Sequence, residues 1–172
     1  MIDNTKEYII CAAIWYNDGI SRDDEQKKLE NGEKRTFPAH FRGATYQNKN
    51  ISTGFVIGQW RHGNVISILP TNPAMNGGMK VCQGFLTSTG RFVDRWQGMY
   101  LAWTVGQVDS ETALNKNYSN YNKNIVKDEY DIYNAIDILK GFDITEFMES
   151  KPTDDRFHED IPFNMMYSED LY

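Results

Sequence analysis

The sequence has little from which a metal site, a disulfide framework or a membrane span could be built. Its 172 residues include two cysteines and three histidines. Cys11 and Cys82 lie in apolar, strand-like runs without the paired spacings of zinc or redox sites, so we expect free, buried thiols. No run approaches the roughly 18 apolar residues of a membrane helix, and no basic segment precedes an apolar one at the start. We therefore expect a cytoplasmic protein without a membrane partner.

Basic residues are scarce in the last part of the chain. The net charge is −6 at pH 7, and residues 127–172 have four Lys or Arg against thirteen Asp or Glu, which leaves +3 for residues 1–126. Nucleic-acid backbones and anionic membranes reward clustered Lys and Arg, so we expect no nonspecific binding to nucleic acid. An anionic ligand needs a local arginine pocket.

Apolar runs separated by turn residues predict a sheet. Residues 8–16 form a continuous apolar run that ends in Asn-Asp-Gly, which is typical of a buried central strand entering a tight turn. Residues 54–60 and 65–69 are predicted as two strands of a hairpin joined through residues 61–64. Residues 80–88 are predicted as a further strand.

The clearest helix signal follows Asp94. This residue can cap the backbone while Gln97, three residues later, reaches back as in a capping box, and Gly106 supplies the stop. Large apolar residues between them recur at helical spacing. A second amphipathic helix is predicted over residues 128–140.

These elements predict an α+β fold with an antiparallel β-sheet and helices packed on it. The length and the 40% hydrophobic content suit a single ligand-binding domain over residues 1–172. We expect an exposed excursion at residues 21–36, which are densely charged without apolar periodicity. Residues 109–172 are predicted as an acidic, partly helical extension.

The usual catalytic fingerprints are missing. The sequence has no glycine-rich phosphate loop, no zinc-type His-Glu spacing and no nucleophile elbow, so we expect no catalytic residue, no metal and no cofactor. His40 and His158 lie in polar stretches and are interpreted as surface histidines.

One stretch, residues 83–95, gathers hydroxyls, arginines and a helix start. Free backbone N–H groups at a helix start favour anions, and the fork of Arg91 or Arg95 suits phosphate. A nearby phenylalanine could stack on a base. The alternative is that both arginines pair with local acids and that the capping carboxylate of Asp94 already fills the anion position.

A set of short motifs is spread along the chain: Gly54-Phe55-Val56, Gly58, Arg61-His62, residues 83–88, residues 91–95, Gly106-Gln107 and residues 167–172. Together they resemble the first described Thoeris anti-defence family of phage proteins. The resemblance implies a sponge that sequesters cyclic ADP-ribose isomers made by TIR-domain enzymes and leaves them intact. It also implies homodimers or higher homo-oligomers with pockets between subunits, and in some members further sites for cyclic oligonucleotides.

The resemblance also implies roles for individual side chains. Arg91 and Arg95 hold the pyrophosphate. Thr87 and Ser88 hydrogen-bond phosphate or ribose, and the ring of Phe85 or Phe92 lines the adenine pocket. Arg61 and His62 reach the ligand or the partner subunit, and Glu169 and Asp170 close an edge of the site. The implied ligand-binding residues are Arg61, His62, Phe85, Thr87, Ser88, Arg91, Phe92, Asp94, Arg95, Glu169 and Asp170.

Two other functional classes remain open from the sequence. A hydrolase could use His62 and Asp94 as acid and base on a cyclic nucleotide, provided that both reach the reacting atoms. A phage structural or assembly protein could use the aromatic surface for packing between subunits, with the arginine cluster incidental.

Overall fold

The protein forms one four-stranded antiparallel sheet with helices packed on it, as a computed structural model describing residues 6–121 and 139–171 shows. The sheet order is β2-β1-β3-β4, so the predicted central position of β1 and the predicted α+β class are confirmed. The strands are β1 (Ile9–Asn17), β2 (Phe55–Gln59), β3 (Lys80–Thr87) and β4 (Phe92–Asp94). The α-helices in the described ranges are α1 (Arg22–Glu30), α2 (Phe41–Ala44), α3 (His62–Ile68), α4 (Pro73–Asn76), α5 (Arg95–Thr104), α6 (Ser110–Ala113) and α7 (Ile144–Glu149). Two 3-10 helices follow, η1 (His158–Asp160) and η2 (Ser168–Leu171).

Both faces of β1 are covered, which explains its continuous apolar run. Ile14 and Tyr16 pack on one face with residues of β2 and α3, whereas Ala13 and Trp15 pack on the other. Alternate side chains of a strand point to opposite faces, so a strand buried on both sides loses the alternation of apolar and polar residues. Cys82 belongs to the second face and is buried with a free thiol, while the free thiol of Cys11 is half-buried.

The predicted hairpin over residues 54–69 is wrong in its second half, because residues 62–68 form helix α3 instead of a strand. Asn64 accepts a hydrogen bond from the Arg61 backbone N–H at 3.2 Å, which closes the first turn. Val65 and Leu69, four residues apart, are both fully buried, whereas Ile66 and Ile68 are exposed. The apolar residues therefore follow helical spacing, and their β-branched character favoured the wrong prediction.

The helix predicted after Asp94 is confirmed. The Asp94 carboxylate accepts from the backbone N–H groups of Trp96 and Gln97 at 3.1 and 3.0 Å, and the Gln97 side chain accepts from the Asp94 N–H at 3.1 Å. Gly106 follows the helix with a φ of 75°, a left-handed conformation that glycine adopts without strain. The short strand β4, which ends at the capping residue Asp94, was not predicted.

The Asp94 carboxylate also anchors the chain after α7. It lies within 2.8 Å of Nε and 2.6 Å of Nη2 of Arg156, and it accepts from the Thr153 N–H at 3.2 Å. Gln97 donates its amide to the carbonyl oxygens of Phe147 and Ser150. One buried carboxylate therefore joins the start of α5 to the C-terminal segment.

That segment is part of the core. Phe147, Ile161, Phe163 and Met166 are buried against α5 in the largest apolar cluster. Most of the helix predicted over residues 128–140 lies outside the described residues. In residues 6–121 and 139–171, no helix has both the length and the apolar character needed to cross a membrane.

The charged excursion contains helix α1 and is held by one buried arginine. Arg42 is fully buried and contacts the carboxylate of Asp18, the carbonyl oxygen of Ile20 at 3.0 Å and the carboxylate of Glu25 at 3.4 Å. Buried charges need this kind of pairing because their desolvation is costly. Most residues of α1 are exposed, but Glu25 on its inner side is buried.

Asp94→Ala should destabilise the protein far more than Asp109→Ala. Both aspartates cap a helix, but Asp94 is fully buried and neutralises Arg156, whereas Asp109 is half-exposed and caps only Thr112 N–H at 2.8 Å. Breaking a buried pair costs about 3–5 kcal/mol, against about 1 kcal/mol for an ordinary cap. Urea unfolding at pH 7 measures both values. Equal losses would show that the Arg156 contact is unimportant.

Candidate ligand-binding site

The turn between β3 and β4 directs Arg91 to an acid from the start of the chain. Arg91 Nε and Nη2 lie 3.0 and 2.9 Å from the two carboxylate oxygens of Glu7, and the hydroxyls of Thr87 and Thr89 each donate to Glu7 at 2.5 Å. Ser88 Oγ accepts from the Tyr8 N–H at 3.1 Å. The guanidinium fork is thus occupied by a local acid, which is the alternative that the sequence left open.

Burial pushes the pKa of Glu7 upward, but the hydrogen bonds from Arg91, Thr87 and Thr89 outweigh it and leave the pKa below its ordinary value. The folded protein therefore holds Glu7 ionised. The network stabilises the turn and the first strand more directly than it prepares an open anion site.

Three other predicted contacts lie inside the protein. Phe85 and Phe92 are fully buried: the ring of Phe85 meets His62 edge-on at 5.1 Å, and that of Phe92 meets Trp15 at 6.3 Å. Asp94 is fully buried with its carboxylate engaged as described above. Neither phenylalanine presents a face to solvent, so base stacking at these rings stays a prediction that needs the core to open.

A second group of predicted residues meets near Gln83 and Gly84 of β3. Arg61 Nη1 lies 3.1 Å from Glu169 Oε1, although the two residues are 108 positions apart. His62 is buried, and its Nε2 lies 2.8 Å from the Gly84 carbonyl oxygen, which can only accept, so Nε2 carries the proton. Burial lowers the pKa of His62, which favours the neutral ring.

Arg95 belongs to the same group and makes no ion pair among the described residues. Its Nη2 donates to Gln83 Oε1, its Nη1 lies 3.4 Å from Met165 Sδ, and its guanidinium lies 5.1 Å from the centre of the Tyr167 ring. Its Nε is buried without a hydrogen-bond partner in the part of the chain that the structure describes. Arg95 therefore stacks on Tyr167 without an ion pair among the described residues, and the carboxylate of Asp154 is a nearby acid whose ionised form its charge favours.

A cavity of about 560 Å³ lies beside this arginine. Trp96, Met165 and Tyr167 give it apolar surface. Its polar lining includes His158, Asn164 and Asp170. The volume is within the roughly 300–1,000 Å³ of small-molecule sites, and the lining combines apolar surface with a few polar groups, as such sites do.

The structure thus divides the predicted site residues. Arg61, His62, Arg95 and Glu169 interact with one another. Asp170 lines the cavity, and Arg95 contacts two of the lining residues, Met165 and Tyr167. The remaining predicted residues stabilise the turn or fill the core. Apart from Asp170, sequence reasoning missed the residues that line the cavity. The aromatic and sulfur-containing side chains of the closing segment were the available signal. His158 was predicted as an exposed histidine, which is confirmed, but its place in the lining was not foreseen.

A second cavity of about 410 Å³ is lined by Trp15, Lys80, Lys151 and Thr153, among others. Lys151 Nζ lies 5.3 Å from the centre of the Trp15 ring and covers it. Because a lysine already occupies that ring face, this cavity is the weaker candidate for an aromatic anion. Among the residues with described positions, no group of three or more His, Cys, Asp or Glu could hold a metal ion.

The stability conferred by Glu7 should disappear in acid. A carboxyl whose folded pKa is depressed contributes fully above its unfolded value, about 4.3, and the contribution is lost as the pH falls through the lower folded pKa. The difference in unfolding free energy between wild type and Glu7→Gln should be constant above about pH 5 and shrink below about pH 4. Glu111→Gln, which removes an exposed 3.9 Å pair with Lys116, should show little difference at any pH.

Comparison with known proteins places the chain in a phage family. The model of the family described as phage T4 y16D protein matches residues 35–128, more than half of the chain. No curated protein and no solved structure matches the chain. The matched stretch includes Arg61, Arg95 and Trp96, whereas Tyr167 and Asp170 follow it. Nothing in this match refers to Thoeris anti-defence, so that relation stays a prediction. Because the family model covers more than half of the residues, the chain belongs to the phage T4 y16D protein family.

Proposed function

We propose that this phage protein is an anti-defence sponge, which binds a cyclic ADP-ribose isomer made by TIR-domain immune enzymes in the host cytoplasm and leaves it uncleaved. The observation that carries the proposal is the position of Arg95. This arginine has no ion-pair partner among the described residues and lies against Tyr167 beside a cavity large enough for a small molecule. The ligand class itself comes from the resemblance of the sequence motifs.

The chemistry around the cavity suits the parts of such a ligand. Arg95 offers a cation for the pyrophosphate, and Arg61 offers a second one, since its pair with Glu169 is exposed and worth little. Phosphate can replace that carboxylate at Arg61. Glu169 and Asp170 then become acceptors for ribose hydroxyls, and the rings of Trp96 and Tyr167 offer apolar surface for the base.

The state of the acid–base candidates favours binding over hydrolysis. His62 is buried and donates to a backbone carbonyl, and Asp94 is buried against Arg156. A general acid or base must reach the reacting atoms, and both groups are committed elsewhere. These contacts favour binding over hydrolysis, and the experiment below separates binding from hydrolysis and from a role in assembly.

We also propose that the functional unit is a homodimer or a higher homo-oligomer. Several large apolar side chains are exposed on the single chain, and large exposed apolar surface marks interaction sites. Sedimentation at micromolar concentration tests this. A monomer of about 20 kDa that binds ligand would contradict a pocket shared between subunits. The side chains concerned include Phe37, Tyr46, Met75 and Phe157.

One experiment separates the three functional classes. The protein is incubated with a cyclic ADP-ribose isomer, freed of unbound ligand, denatured by heat, and the released compounds are identified. Release of the intact isomer supports the sponge, and release of a cleaved product supports the hydrolase. Absence of any bound compound supports the assembly protein. A parallel sample with chelator should bind equally if no metal takes part.

Arg95→Ala should weaken binding by roughly 10- to 150-fold, because a hydrogen bond to a charged group contributes about 1.5–3 kcal/mol. Arg95→Lys should recover only part of the loss, since an ammonium lacks the planar fork. Calorimetric titration beside thermal unfolding gives both readouts. Lys151→Ala in the second cavity is the matched control and should bind normally.

Arg91→Ala provides a contrast to Arg95→Ala. Its fork is filled by Glu7, so we expect a lower melting temperature and a smaller loss of affinity than for Arg95. If Arg91→Ala abolished binding while the melting temperature stayed unchanged, the anion site would lie at the turn between β3 and β4. If neither variant changed affinity, Arg61 would be the next arginine to test.

A further inference from the structure

We infer that the adenine base of the ligand enters the 560 Å³ cavity and accepts a hydrogen bond from Trp96 Nε1. This inference rests on the proposed function and names the part of the ligand that this cavity recognises. It makes Trp96, a residue that no sequence motif marked as a ligand contact, the determinant of base specificity.

The first observation is an unpaired donor. Trp96 is 5% exposed and lines the cavity, yet its Nε1 has no hydrogen-bond partner among the described residues. Two other tryptophans are paired: Trp15 Nε1 donates to the Thr53 carbonyl oxygen at 2.8 Å, and Trp103 Nε1 donates to Ser110 Oγ at 3.0 Å. Buried donors are nearly always satisfied in native proteins, so an exception beside a cavity points to an acceptor that comes from outside the chain.

A second unpaired donor belongs to the preceding residue, which contacts the cavity-lining residues Met165 and Tyr167. Arg95 Nε is also buried without a partner among the residues described, and Arg95 and Trp96 are the first two residues of α5. The two donors differ in character, because one belongs to a cation and the other to an aromatic ring. An adenine nucleotide has acceptors for both: a ring nitrogen for the indole and a phosphate oxygen for the guanidinium.

The amino group of adenine needs a hydrogen-bond acceptor, and the cavity lining contains acceptors. Asn164 donates its amide hydrogens to the carbonyl oxygens of Thr112 and Leu114 at 2.9 and 3.1 Å, which leaves its Oδ1 as an acceptor. The Asp170 carboxylate accepts from the Tyr167 N–H at 2.7 Å through one oxygen. Adenine presents an amino donor beside a ring-nitrogen acceptor, so a lining with both kinds of group can read this edge.

The apolar lining provides the surface for the ring itself. Met165 and Tyr167 both line the cavity, and sulfur and aromatic groups make favourable contacts with a flat ring. Because the Trp96 nitrogen is shielded from solvent, the base must displace part of the cavity wall to reach it. The Tyr167 side chain in this wall is 48% exposed, so its displacement uncovers little buried surface.

The test compares Trp96→Phe with Trp103→Phe. Both substitutions shorten a buried ring and leave a similar void. The first also removes an unsatisfied donor and the second a satisfied one, so the melting temperature should fall less in Trp96→Phe than in Trp103→Phe. Affinity for a cyclic ADP-ribose isomer with a free adenine amino group should drop about 3- to 10-fold in Trp96→Phe, which is the effect of losing one neutral hydrogen bond. In Trp103→Phe the affinity should stay near that of wild type.

The hypoxanthine counterpart of the same isomer tests the amino group. It presents an oxygen where adenine has the amino donor, so wild type should bind it about tenfold more weakly. Equal affinity of wild type and Trp96→Phe for the adenine isomer would overturn the inference while leaving the sponge intact. A loss of affinity that merely follows a fall in melting temperature would also overturn it. A wild-type protein that binds no isomer would instead refute the proposed function.

Discussion

The rest of the structure depends on one buried carboxylate. Asp94 ends β4, caps α5 and neutralises Arg156, so a strand, a helix and the C-terminal segment share a single negative charge. A charge excluded from water is stable only when its donors are held in place, and the donors here come from two distant parts of the chain, the start of α5 and the segment after α7. The chain between Arg156 and residue 171 is thereby held near the first turn of α5, where Arg95 and Trp96 lie.

Elements specified by neighbouring residues were predictable from the sequence. The capping box of Asp94 and Gln97 lies within four residues, and the central strand has a continuous apolar run, so both were found. Helix α3 was mistaken for a strand because a short apolar run rich in Val and Ile fits either structure. Its two buried positions, Val65 and Leu69, are spaced for a helix, but that spacing is decisive only once the sheet that they cover is known.

The candidate site was predictable in part, because sequence motifs mark individual residues but do not show which distant residues they contact. Arg61 and Glu169 were both named from sequence motifs, and they meet although 108 positions separate them. Arg91 was interpreted as a ligand contact because its partner, Glu7, is 84 positions away and gave no local signal. The unpaired indole of Trp96 was beyond prediction, since an unsatisfied donor is a property of everything that surrounds it.

Two stretches of the chain form the cavity, one inside and one beyond the part that matches the family model. Its floor at Trp96 belongs to the stretch that matches the phage family, whereas the wall at Met165, Tyr167 and Asp170 comes from the closing segment beyond that match. Tyr167 and Asp170 are partly exposed and take no part in the sheet. Substitutions there can alter which molecule fits without touching the sheet or the capping box of α5. The specificity of the cavity and the stability of the fold can therefore change independently.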